Sequence, residues 1–243
     1  MRECFLRKFG LIGGMSWVST RSYYEDINRM IQKRVGPESS APLLIESLDF
    51  SKVYRISDRE EWETAARVLS ESAVRLEQAG AGAIAITANS MHAVYDRVAD
   101  AVSVPVIHIA DCVAARMKEK GIDRAALLGT RNVMMDDFYR RRLIDQDIEL
   151  LPPAVEIVDQ LDKIIYEELM VGRVRRGSQR IMKTMLTNFE KDGADAVVLA
   201  CTELELIVDV DANVLTVFDG AHIHAESIVD WILGGDEGAT VPG

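Results

Sequence analysis

Cys201 stands where the apolar run of "AVVLACTELELIV" (196–208) breaks into a polar turn, and Thr87 holds the same place in "AIAITANSMHAVYD" (83–96). A thiol and a hydroxyl opposed across a carbon acid can take a proton from one face and return one to the other, which inverts a stereocentre. A thiolate suits the first task, because its solution pKa of about 8.5 is lowered by a helix N-terminus or a nearby cation. The carbanion that forms needs directed donors. Backbone amides after each turn, at Thr202 and Glu203 and at Asn89 and Ser90, are candidates to hold a substrate carboxylate where a helix opens. Such chemistry calls for no cofactor. "GLIGGMS" has paired glycines after a strand, yet it lacks both GxGxxG and a P-loop lysine. Each residue also has a plainer reading. Cys201 is a small hydrophobe at a strand end, Thr87 a turn residue, and His92 a structural histidine of a helix. Arg21, Lys52 and Arg55 read as solvated. Cys4 and Cys112 read as structural, since neither stands at a junction repeated elsewhere in the chain.

The elements that must position these residues alternate. "KFGLIGG" reads as a buried strand and "STRSYYEDINRMIQKRV" as a helix with Ser19 and Thr20 as caps. "APLLIESLDF" follows as a strand, and "REEWETAARVLSESAVRLEQAG" as a long amphipathic helix closed by Gly80. "AGAIAIT", a helix over "DRVADAV", and "VPVIHIA" complete the first set. Continuous apolar strands alternating with helices predict parallel sheets covered on both faces.

The pattern then restarts. "AALLGTRNVM" repeats the strand and turn of "FGLIGGMSW", "LLPPAVEIV" follows, and a long helix, a glycine and a strand again precede a polar turn. The offset is 116 residues from Ile12 to Leu128 and 114 from Thr87 to Cys201. Two anchors in such agreement argue for an internal duplication. The reading is an α/β protein of two similar lobes, each a parallel sheet flanked by helices, related by pseudo-symmetry with the site between them. Residues 1–105 plus 212–243 form the first lobe and 106–211 the second. "LTVFDGAHIHAESIVDWIL" is expected to return a strand and helix to the first half. Ligands of open parallel sheets sit beyond the carboxyl ends of the strands, where Thr87 and Cys201 both lie.

Composition narrows the function. A formal charge of −11 over 243 residues argues against nucleic acid, whose phosphates demand a basic surface. Three cysteines at wide spacing, with no CxxC, argue against a disulfide framework or structural zinc and fit a reducing compartment. No run approaches the roughly 18 apolar residues of a membrane span, and the N-terminal apolar run is broken by Arg7, Lys8 and Gly10. The expectation is a cytoplasmic protein with a small-molecule substrate, no metal, no membrane and no nucleic acid. At this size a homodimer is the default.

"GLIGGMSWVSTRSYYEDIN", "TANSMHAVYD", "ALLGTRNVMMDDFY", "ACTELELIV" and "VFDGAHIHAESIVDW" together resemble the successive motifs of the aspartate/glutamate racemase family. The resemblance runs from about Leu11 to Trp231. It implies two similar α/β halves and a cofactor-independent, PLP-independent amino-acid racemase. In that family both strand ends carry cysteine. Here Cys201 is the second and Thr87 replaces the first, as in members resembling an L-aspartate/glutamate-specific racemase. By resemblance, Cys201 takes the α-proton of the L-amino acid, and Asn89, Ser90 and Thr202 hold its carboxylate. Met15, Ser16 and Trp17 line the first-half turn, while Thr130 and Glu203 join the substrate-binding set.

A threonine hydroxyl is a far weaker acid than a thiol. Deprotonation from the Thr87 side is therefore expected to fall by several powers of ten, each about 1.4 kcal/mol of barrier, which biases the enzyme to the L-enantiomer. The family's basic residue for a distal carboxylate is sought near "YEELMVGRV", where Met170 and Val171 stand instead. Arg173, Arg55, Lys52 or Arg21 then has to supply positive charge. Glu203 positions the thiol, although a carboxylate beside a thiolate raises its pKa. Two other readings stand beside the racemase: a single-cysteine decarboxylase or isomerase of the same superfamily, and a non-catalytic paralogue that binds a small acid.

Overall fold

The computed structural model describes residues 6–49, 51, 56, 58–209 and 214–234. Four strands form the first sheet: β1 (Phe9–Gly13), β2 (Leu43–Ser47), β3 (Ile84–Ile86) and β4 (Val106–Ile107). They pair in parallel in the order β2-β1-β3-β4. The second sheet holds β5 (Arg124–Gly129), β6 (Glu149–Leu150), β7 (Ala196–Ala200) and β8 (Thr216–Asp219) in the order β6-β5-β7-β8, again all parallel. The same strand order twice is what a duplicated α/β half produces. Every residue of β1, β3 and β7 is buried, which is why these runs are apolar without alternation.

By contact density the described residues fall into two compact units. The first comprises those up to Thr87, Val94–Ile107, and those from Ala225 on. The second comprises Ala88–Ala93 and His108–His224. The first carries helices α1 (Trp17–Val35), α2 (Arg59–Gln78) and α3 (Tyr95–Ala99). The second carries α4 (Ile109–Glu119), α5 (Arg131–Met135), α6 (Asp137–Ile144), α7 (Val155–Glu167) and α8 (Arg176–Lys191). The last helix, α9 (Gly220–Ile232), begins in the second unit and ends in the first.

Local chemistry explains the helix boundaries. Asp58 caps α2 by accepting from the Glu61 amide at 2.9 Å, and Glu60 and Glu61 in the first turn complement the helix dipole. On α8 the buried Met182, Met185, Leu186 and Phe189 recur at helical spacing and pack against the second sheet. Ser16, rather than the expected Ser19 or Thr20, caps α1, its hydroxyl accepting from the Val18 amide at 3.2 Å. Thr20 lies inside the first turn, where its hydroxyl accepts from the Gly14 amide at 2.8 Å. Gly14 has φ +88°, and a β-carbon there would meet the Leu48 carbonyl at 2.2 Å, so only glycine fits this turn.

The second half departs from the first in one element and from expectation in another. "AVEIV" belongs to a helix, because its apolar residues continue as Val158, Leu161, Ile164 and Ile165 along one face of α7. Only Glu149 and Leu150 pair with β5 as the second strand. The terminal strand β8 extends the second sheet instead of returning to the first half. It pairs with β7 from Ala196↔Thr216 to Leu199↔Asp219, and Phe218 is 2% exposed in that unit's core. The physical reason is the open edge of β7, whose backbone groups need partners. The final helix does reach the first unit: a β-carbon at Gly82 would lie 2.8 Å from the Trp231 ring, against which Arg7 stacks at 4.2 Å.

Candidate active site

In both sheets the chain turns back on itself between the first and third strands, at β1/β3 and at β5/β7. Open parallel sheets bind ligands at the carboxyl ends of such a switch point. The candidates from sequence cluster there. Met15, Ser16 and Trp17 follow β1, and Thr87 follows β3. Thr130 follows β5, and Cys201, Thr202 and Glu203 follow β7.

Strand periodicity aims the thiol. Ala196, Val198 and Ala200 face the core on the α4 and α6 side, whereas Val197, Leu199 and Cys201 face the α7 and α8 side. Cys201 is 7% exposed and packs in one cluster with Leu169 and Leu204, flanked by Met170 and Ile207. Its Sγ donates to Oε2 of Glu203 at 3.2 Å, and the Thr202 hydroxyl donates to the same oxygen at 2.8 Å. Burial first, then the Glu203 carboxylate, push the Cys201 thiol well up, and Asp162 adds to the effect. The resting group is a neutral thiol with an anionic acceptor in place. The helix it opens, Thr202–Leu206, is a short 3₁₀ helix.

Thr130 stands beside Cys201. Gly129 is in register with Ala200, so the next residues of the two strands lie one strand spacing apart, about 5 Å. Thr130 is 6% exposed, and its hydroxyl has no hydrogen-bond partner among the described residues. The following amide, of Arg131, donates to Oδ1 of Asp162 at 2.8 Å, while the Arg131 guanidinium pairs with Asp159. Asp162 was not evident from sequence. It sits among the apolar residues of α7, and only the packing of that helix on β5 and α5 makes it a neighbour.

Thr87 is fully buried. Its hydroxyl donates to the Ile12 carbonyl at 3.1 Å and lies 3.4 Å from the Thr20 hydroxyl. Thr20 in turn donates to the Ser16 carbonyl at 3.2 Å. Thr87 thus ties the ends of β1 and β3 together, with its proton directed at backbone. Met15 is buried, but Trp17 is 65% exposed, with the Arg21 guanidinium 6.0 Å from its ring centroid.

Asn89 and Ser90 open the 3₁₀ turn Ser90–Val94 and belong to the second unit, with Thr130, Cys201, Thr202 and Glu203. Met15, Ser16, Trp17 and Thr87 belong to the first. Asn89 is 6% exposed, and its Oδ1 has no hydrogen-bond partner among the described residues. Arg55 and Lys52 lie outside the described residues. Of the segment sought for a distal cation, Met170 packs against the Cys201 cluster, and Val171 is 58% exposed. Among the described residues no three His, Cys, Asp or Glu side chains gather as a metal site.

Residues 12–228 match the family model described as Asp/Glu/Hydantoin racemase. The chain belongs to that family. A crystal structure from Yersinia pestis assigned to the Asp/Glu racemases is 37% identical, with a TM-score of 0.88 over 94% of this chain and 100% of that one. An aspartate racemase homologue from Pyrococcus horikoshii OT3 is 32% identical, with a TM-score of 0.82 over 93% of this chain and 99% of that one. The broad specificity amino-acid racemase RacX of Bacillus subtilis (strain 168) is 24% identical over 231 residues, 92% of this chain and 97% of RacX. The two-lobed α/β racemase fold, read from the repeat in the sequence, matches the two solved structures. No helix among the described residues is long and apolar enough to cross a membrane.

Proposed function

We propose that this racemase-family chain interconverts amino-acid enantiomers without PLP or any other cofactor, through proton exchange at Cα in which Cys201 serves the face of the L-enantiomer. The observation that carries this is the buried Cys201 thiol donating to Glu203 at 3.2 Å, at the carboxyl end of β7 beside Thr130. Glu203 accepts the thiol proton, which leaves a thiolate and a neutral carboxyl group. The thiolate takes the α-proton, and the electron pair of the broken C–H bond passes into the substrate carboxylate as a carbanion. Amides and side chains of Asn89, Ser90 and Thr202 stabilise that charge, and Thr130 offers a further polar contact. Met15 and Ser16 contribute from the turn after β1.

Return of a proton to the other face is assigned to Thr87, a weak acid whose hydrogen is already directed at the Ile12 carbonyl. The enzyme is therefore lopsided. L-substrate exchanges its α-proton with solvent faster than it inverts, and D-substrate is a poor entrant. A cytoplasmic homodimer is the setting we assign to it.

The test is a panel of L- and D-amino acids in D₂O, followed by loss of the Cα proton. Faster wash-in from the L-series, abolished in Cys201→Ser, is expected. Equal exchange from both enantiomers would overturn the one-sided reading, and unchanged rates in Cys201→Ser would overturn catalysis by Cys201.

A further inference from the structure

The hexapeptide Ala88–Ala93 follows a strand of the first unit yet packs with the second, and His92 supplies the reason. Its imidazole is 2% exposed and bonded at both nitrogens. Nε2 accepts from the Ile109 amide at 3.4 Å, so the proton resides on Nδ1, which donates to the Ala88 carbonyl at 3.0 Å. The backbone amide of His92 donates to the Asn89 carbonyl at 3.2 Å. The ring lies edge-on to His108 at 4.5 Å and to His224 at 5.9 Å between centroids. His108 caps α4, its Nδ1 accepting from the Ala110 amide at 3.0 Å. One side chain thus closes the turn that carries Asn89 and Ser90 and fastens it to the start of α4.

What the turn presents is incomplete on its own. Asn89 is more than nine-tenths buried, and among the described residues its Oδ1 accepts no hydrogen bond, which leaves it open to a donor such as a substrate ammonium group or water. A buried amide held ready in that way gains only if its backbone cannot drift.

We infer that His92 is a positioning residue: it binds the Ala88–Ser90 turn to the unit that bears Cys201, so that the substrate-carboxylate donors Asn89 and Ser90 keep a fixed register to the thiol. The assignment of those donors rests on the racemase reading, whereas the clamp itself does not.

His92→Leu removes both ring hydrogen bonds, and His92→Gln restores an acceptor within reach of Ile109. Three quantities are measured on the full chain. They are KM and kcat for α-proton exchange of L-aspartate, the rate at which iodoacetamide alkylates Cys201, and amide hydrogen exchange of the peptide spanning 88–94. In His92→Leu we expect kcat/KM to fall about 100-fold, with KM rising about tenfold. Alkylation of Cys201 stays within about twofold, and the 88–94 amides exchange about tenfold faster. His92→Gln recovers most of the KM.

An unchanged KM, or a Cys201 alkylation rate that moves as far as KM does, overturns the positioning role. If the leucine protein does not fold, His92→Asn, whose side chain falls short of Ile109, is measured in its place with the same outcomes. If wild-type protein exchanges no proton from L-aspartate, the racemase reading fails for that acid. The amide-exchange measurement still decides the clamp: faster 88–94 exchange supports it and unchanged exchange refutes it.

Discussion

Sγ of Cys201 and the hydroxyl of Thr202 donate to the same oxygen, Oε2 of Glu203, at 3.2 Å and 2.8 Å. Glu203 is itself 8% exposed, so both donors serve a buried carboxylate. The pair holds the thiol protonated at rest and supplies the acceptor that makes a thiolate when substrate binds. Replacement by Glu203→Gln should therefore divide two properties. The raised Cys201 pKa moves down, because the adjacent negative charge is gone, and iodoacetamide reacts at lower pH. Exchange at Cα nevertheless slows by about 100-fold or more, in the range of a lost general base. The pH profile of Cys201 alkylation, read by peptide mass spectrometry beside deuterium wash-in, checks both. An alkylation profile that shifts to higher pH contradicts the role given to Glu203.

Thr87 offers a test of the opposite face. In Thr87→Cys a group of much lower pKa replaces the hydroxyl, and wash-in from the D-enantiomer should rise about tenfold or more. Thr87→Val removes the bond to the Ile12 carbonyl that links β1 and β3. It should lower stability by about 1 kcal/mol, seen as a reduced urea midpoint. D-substrate exchange that is the same in Thr87→Cys as in wild type contradicts the assignment.

Acid should unfold the protein partly through His92. Burial above all holds its imidazole down to about 4, and the Arg142 guanidinium adds to this. His108 and His224 face the same ring, and Asp111 pairs with Arg142 at 2.7 Å. An unfolded histidine titrates near ~6.5, so between that pH and about 4 the unfolded chain binds the extra proton. Stability from this group is thus complete above the unfolded pKa and is lost as pH falls towards the folded one, by on the order of 3 kcal/mol. Urea midpoints at pH 7, 5.5 and 4.5 should decline, with a smaller decline in His92→Gln. Parallel declines in the two proteins would rule His92 out as a source.

What was legible in the sequence followed from local pattern. The wholly buried β1 and β7 are unbroken apolar runs, and the 3.6-residue spacing of Met182, Met185 and Phe189 declares α8. Cys201 was legible because a thiol at a strand–turn junction, repeated as a threonine 114 residues earlier, is an uncommon coincidence. Asp162 was hidden because helical spacing says which residues share a face, and not which strand end that face will meet. The placement of β8 was hidden for a related reason. An apolar run such as "LTVFD" carries no label for the sheet it will join, and the vacant edge of β7 decided it. His92 was visible as a helical histidine, but its bond to Ile109 spans 17 residues and needed the fold.

Each sheet's fourth strand passes the chain to the other unit: β4 leads into α4, and β8 leads into α9, which finishes against Gly82. The repeat seen in the gene product is therefore not a pair of separable modules. A fragment cut at 106–211 would leave the β7 edge bare, the kind of exposed backbone that recruits foreign strands. Its complement would retain the orphaned final strand and lose the sheet that receives it. Because each unit is closed by chain that arrives from the other, the two halves make one indivisible polypeptide.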